Sequence, residues 1–177
     1  MAVFWKTTLT TFWNDTDGNA SMEFVVLSLV IFYFVFSLVE AGVLMTRTVM
    51  LERGVNIAVR DLRLGITANP DHDTIKAEIC KAAYLLKNCE SSLLLELTPL
   101  DISGNFPTGQ ANCVDRTEEV TPVINFDPGG RSEIMFVRAC LVVDPLFPGM
   151  GLGAKLPKDK SGGYAIVVQS AFVNEPA

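Results

Sequence analysis

The chain has 177 residues, 14 Lys and Arg against 20 Asp and Glu, one His and four Cys, and 49% of its residues are hydrophobic. A net charge of −6 and a pI near 4.8 speak against a phosphate-binding face and a polybasic membrane patch, so nucleic acid is not an expected partner. The length suits one small domain plus an anchor.

Residues 1–18 form a short head. Trp5, Phe12 and Trp13 suit a membrane interface, and Lys6 against Asp15 and Asp17 gives no positive-inside signal. Gly18-Asn19-Ala20-Ser21-Met22-Glu23 then leads into an apolar run in which only Glu40 is charged between Phe24 and Thr46. As helix, that run is about 35 Å long, enough to cross a bilayer core with some tilt. It is longer than a signal-peptide core, so it reads as a retained anchor. Glu40 is expected to reach toward water or Arg47. A Gly, four variable residues and a Glu before a membrane helix is the pattern of a prepilin processing site. The plainer reading is that Glu23 complements the helix dipole, worth under about 1 kcal/mol.

The helix is expected to continue to about Leu64. Leu44, Thr48, Leu51, Val55, Ala58 and Leu62 recur at spacings of three and four, giving one core-facing stripe. Gly54 reads as a mild interruption, costing about 1 kcal/mol relative to Ala, and Gly65 as the stop. Asp71 or Asp73 can cap a second helix with Ile75, Ile79, Ala82 and Leu86 inward and Asn88 at its end. The period then changes to two. Strands are expected from Leu93 to Thr98 (an edge, given Pro99), from Glu119 to Phe126, from Ser132 to Val143 and from Ala165 to Val173. Ser103–Asn112 and Pro145–Gly163 read as loops, and Asp127-Pro128-Gly129-Gly130 as a turn. The fold class is therefore α+β, with a four-stranded, mainly antiparallel sheet and both helices on one face.

Cys80, Cys89, Cys113 and Cys140 permit three pairings. We expect Cys80–Cys89 and Cys113–Cys140, in a compartment outside the cytosol. Arg47, Arg53, Arg60 and Arg63 argue for the opposite orientation, but translocation of a long domain depends weakly on charge. No catalytic constellation is visible. The single histidine, His72, lies in a polar turn, no Cys sits in a CxxC, and no metal or cofactor site is expected.

Asp17-Gly18-Asn19-Ala20-Ser21-Met22-Glu23-Phe24 resembles the processing segment of TadE-like proteins, the pseudopilins of tight-adherence pilus systems. Glu40-Ala41-Gly42, Ala58-Val59-Arg60, Ile79-Cys80 to Asn88-Cys89, Phe126-Asp127-Pro128-Gly129-Gly130, Phe136-Val137-Arg138 and Asn174-Glu175-Pro176 fit the same family in the same order. Cys113 and Cys140 are not part of the usual pattern, and Lys6 is the only positive charge in the leader. The resemblance implies a leader peptide (1–18), a transmembrane part of the N-terminal helix (19–46) and an extracytoplasmic domain (47–177). It implies cutting by a prepilin peptidase between Gly18 and Asn19, and pairing of Glu23 with a neighbouring subunit's N-terminus. The protein would then be an inner-membrane minor pilin, a non-enzyme, whose partners are the peptidase, other pilins and the membrane. The alternatives are an uncleaved single-pass envelope binding domain and an envelope enzyme, for which no residue set speaks.

Overall fold

One helix, α1 (Asn19–Arg63), runs without interruption for 45 residues. The structure, a computed structural model, describes residues 19–67, 70–100, 109–117 and 125–175. From Phe24 to Val35 α1 is apolar on nearly every side and largely exposed, and the helix is long and apolar enough to cross a membrane. The second half is amphipathic. Leu51, Val55 and Ala58 are buried, and Leu44 and Leu62 pack against the same core. The helix ends where the stripe ends. Gly65 adopts φ +64°, and the N–H groups of Gly65 and Ile66 donate to the carbonyls of Leu62 and Asp61. These bonds satisfy carbonyls that would otherwise lack partners.

Helix α2 (His72–Ala82) starts at Asp71, whose carboxylate accepts from the Thr74 N–H at 3.2 Å. It buries Ile75 and Ile79. The expected end at Asn88 is corrected: α2 stops at Ala82, and Ala83 rather than Ala82 is buried in the turn that follows. Asn88 takes a left-handed conformation, φ 53°, ahead of a single helical turn, α3 (Cys89–Ser92). The Cys80–Cys89 disulfide ties α2 to this turn.

Gly54 is also corrected. A Cβ there would lie 2.7 Å from the Ile79 carbonyl oxygen and 3.1 Å from Ile79 Cγ2. The residue that reads as an interruption is the point where α1 and α2 cross at close range.

Strands β1 (Leu93–Leu100), β2 (Ile134–Val143) and β3 (Tyr164–Val173) form an antiparallel sheet in the order β1-β2-β3. Leu95 opposes Ala139 on one side, and Ala139 opposes Val168 on the other. The face carrying Leu93, Leu95, Leu97, Met135, Val137, Ala139, Leu141, Ile166 and Phe172 packs with the inward stripes of α1 and α2. Both helices thus cover one face, and three of the four expected strands are present. The expected strand from Glu119 to Phe126 lies mostly outside the described residues. Its last residue, Phe126, makes a single parallel bridge to Leu97.

The other face of β2 is buried as well. Phe136, Arg138, Cys140 and Val142 are nearly inaccessible. The segment 109–117 lies over Arg138 and Cys140, fixed by the Cys113–Cys140 disulfide and by Arg138 donating to the Gly109 carbonyl at 3.3 Å. Glu96 opposes Arg138 across the strands, contacts it at 3.4 Å, and accepts from Asn112 at 2.8 Å. A strand buried on both faces usually reads as a continuous apolar run, and Arg138 interrupts that run in β2.

Candidate functional site

The residues singled out from sequence fall at two levels of α1. Gly18 lies outside the described residues, and Asn19 opens the helix. Glu23 is exposed and, among the described residues, makes no hydrogen bond or ion pair. Counted from Asn19, the first turn contains no acidic residue, and Glu23 falls in the second. The dipole's effect fades within the first turn, so the plainer account of Glu23 is weakened.

The second level is Glu40, 17 residues and about 26 Å further along the axis. Here the expectation fails. Glu40 is fully buried and reaches neither water nor Arg47. One carboxylate oxygen accepts from the Leu146 N–H at 3.1 Å and the other from the Phe147 N–H at 2.8 Å. The reason is local chain geometry. Pro145 and Pro148 bracket two N–H groups that no strand or helix uses, and a carboxylate offers two acceptors at a matching spacing.

Small residues let the loop come that close. Gly151, at φ +55°, sits against Ser37, where a Cβ would be 2.6 Å from the Ser37 Oγ. Gly153 lies against the Phe147 carbonyl and within 3.2 Å of Glu40 Oε2 by the same measure. Phe147 packs against Phe36 with ring centroids 4.8 Å apart and planes inclined at 56°. A 3-10 turn at Gly151–Ala154 closes the loop on α1. Arg47 is committed elsewhere, donating to the Asp144 carbonyl at 2.7 Å and the Tyr164 hydroxyl at 2.9 Å. Arg116 grips Asp144 through two N–H groups at 2.6 and 3.1 Å. The guanidinium's hydrogen bonds hold the Asp144 carboxyl below the usual carboxylate range.

This clasp between α1 and the 145–154 loop escaped sequence reasoning. The available signals were a single charge inside an apolar run and a loop that is itself apolar, Pro145-Leu146-Phe147-Pro148-Gly149-Met150. Neither signal names the other as its partner, 106 residues away.

The two disulfides join the expected cysteines, Cys80 with Cys89 and Cys113 with Cys140. His72 is the first residue of α2. It contacts Asp73 at 3.0 Å and meets Phe126 edge-on at 5.8 Å, so it is packed rather than solvated. Among the described residues no cluster of His, Cys, Asp and Glu is arranged to hold a metal ion. Compared with family models, with curated proteins and with solved structures, the chain matches none.

Proposed function

We propose that this chain is a TadE-like minor pilin: an inner-membrane subunit that a prepilin peptidase cuts after Gly18 and that enters a tight-adherence pilus through α1. The observation that carries the reading is the Gly18–Glu23 spacing placed at the start of an uninterrupted 45-residue helix. Pilin-like subunits need such a helix, apolar in its first half to assemble and amphipathic in its second half to carry a domain. The α+β domain and its disulfides fit an oxidising compartment on the far side of the membrane. The fourth strand expected from Glu119 to Phe126 belongs to this reading, and its support is the single bridge between Phe126 and Leu97.

Glu23 supplies the assembly chemistry. A carboxylate moved into hydrocarbon costs a few kcal/mol. Pairing it with the Asn19 ammonium of a neighbouring copy or pilin removes much of that cost and sets the axial register. Without cleavage there is no ammonium at that depth, so the two steps are linked.

One experiment tests both steps. The membrane protein from cells with an active prepilin peptidase is expected to have the mass of residues 19–177. Glu23→Gln should be inserted and cut normally but be reduced in the pilus by two decades or more, because several kcal/mol of pairing are lost. A mature protein that retains residues 1–18 would sink the proposal and leave an uncleaved anchored domain. Equal pilus incorporation of Glu23→Gln at matched protein levels would sink the pairing.

A further inference from the structure

The loop clasped to Glu40 sits at a height on α1 that matters. Gly149, Met150, Gly151, Ala154 and Lys155 form one wall of an apolar groove of about 530 Å³, and Leu29, Phe32, Tyr33 and Phe36 form the other. The loop therefore lies beside the apolar half of the helix, not above it. A hydrocarbon core about 30 Å thick takes about 20 helical residues. Counted from Phe24, the span ends near Val43. Counted even from Asn19, just beyond the acidic pair Asp15 and Asp17, it ends near Leu38. Either way the helix levels that touch Phe147 and Gly151, namely Phe36 and Ser37, lie inside the core. Tilt only lengthens the helix required and moves the loop deeper.

The loop's chemistry suits that depth. Irregular backbone survives in hydrocarbon only where its polar groups are satisfied within the protein. Across residues 145–150, Pro145 and Pro148 have no N–H, Leu146 and Phe147 donate to Glu40, Met150 donates to the Phe147 carbonyl and Lys158 Nζ donates to the Pro148 carbonyl at 2.7 Å, while the Gly149 N–H makes no hydrogen bond among the described residues. The next stretch closes on itself, with Ala154 donating to Met150 and Lys155 and Leu156 donating to Leu152. The exposed side chains of residues 145–154 are apolar, Leu146 and Met150 each 49% exposed beside Pro148 and Ala154, and Lys155, the next residue, borders the groove with a stem long enough to carry its ammonium group away from it. One level further up α1, Arg47, Lys87 and Arg116 line a pocket that Leu146 also borders, with Asp144 its only acid among the described residues. Apolar surface with cations just above it is the order of groups met on leaving acyl chains for phosphates.

We propose that the 145–154 loop is embedded in the bilayer leaflet on the domain's side, and that lipid acyl chains fill the groove between it and α1. The domain is thus set into the membrane, with Glu40 as the internal acceptor that makes the loop's backbone compatible with lipid. The inference rests on α1 spanning a membrane, and the test separates the two.

The full chain is reconstituted into phosphatidylcholine vesicles whose acyl chains carry a nitroxide at mid-chain. Single added cysteines, Met150→Cys, Val30→Cys and Arg131→Cys, each bear an environment-sensitive fluorophore, with the two native disulfides verified in each variant. Val30 reports the span. Arg131 lies at the opposite end of the domain, near the close of α1, where Ser132 and Asn174 bond and Arg63 meets Glu175. The expected result is strong quenching at both Val30 and Met150 and none at Arg131. Quenching at Val30 with Met150 as unaffected as Arg131 overturns the embedded loop and leaves the span intact. Absence of quenching at all three overturns both. Protection of Met150 together with cross-linking between copies at that position assigns the groove to a second copy and overturns the lipid assignment.

Discussion

Glu40 and Glu23 are both carboxylates on the apolar half of one helix, yet their surroundings are opposite. Glu40 is fully buried with both oxygens accepting backbone N–H groups, whereas Glu23 is exposed. Glu40→Gln is therefore the more damaging change to the fold. An amide keeps one acceptor and turns an N–H₂ toward a backbone N–H. The clasp should lose about 1.5–3 kcal/mol, the usual worth of a hydrogen bond to a charged group. Trypsin acting on the detergent-solubilised protein reads this directly. Cleavage after Lys155, which follows the 3-10 turn, should speed up about tenfold or more in Glu40→Gln, while Glu23→Gln leaves the digestion rate unchanged. Identical rates for Glu40→Gln and the wild type would show that the clasp carries no local stability.

At the scale of elements, periodicity in the sequence carried most of the architecture. The Leu51–Val55–Ala58 stripe, the cap at Asp71 (one of two candidates, with Asp73) and the alternation along β2 each follow from local physics. Gly54 was legible as a residue but not in its role, because helical propensity weighs a glycine against water and not against the helix it touches. Gly54→Ala separates the two accounts by sign. Propensity alone stabilises the variant by about 1 kcal/mol. The close approach of the Ile79 carbonyl instead forces α1 and α2 apart, at a cost of about 1–3 kcal/mol. A lower denaturant midpoint is the expected outcome, and a higher one would rule out the crossing.

For the molecule as a whole, the two disulfides divide the work between the two faces of the sheet. Cys80–Cys89 closes a separation of nine residues on the helical side, and Cys113–Cys140 closes one of 27 over the outer face. The loop-entropy model assigns them roughly 3 and 3.5 kcal/mol. Losing the second also loosens the cover over Arg138, which donates to the Gly109 carbonyl. The Cys113→Ser/Cys140→Ser pair should therefore lower stability more than Cys80→Ser/Cys89→Ser, by equilibrium unfolding of the oxidised proteins. The reverse order would mean that segment 109–117 holds its place without the bond. The even cysteine count and the short Cys80–Cys89 spacing motivate the pairing, which the sequence alone leaves as one of three. The burial of β2 on both faces was not legible, because its cover comes from a segment with no periodic mark. The Glu40 clasp was hidden for the same reason: it joins two irregular features at long range.

Bending in α1 has few places to occur. The clasp at Glu40 and the crossing at Gly54 splint the helix from about Phe36 upward, and among the described residues only the stretch below stands without lateral support. The splinted part, Phe36 to Arg63, is about 40 Å long. A swing of about ten degrees at its base carries the far end about 7 Å sideways. The domain with the upper helix is thus a stiff lever whose elbow lies within the apolar half. A pull on the domain is delivered to the residues around Val30 and is not absorbed above them.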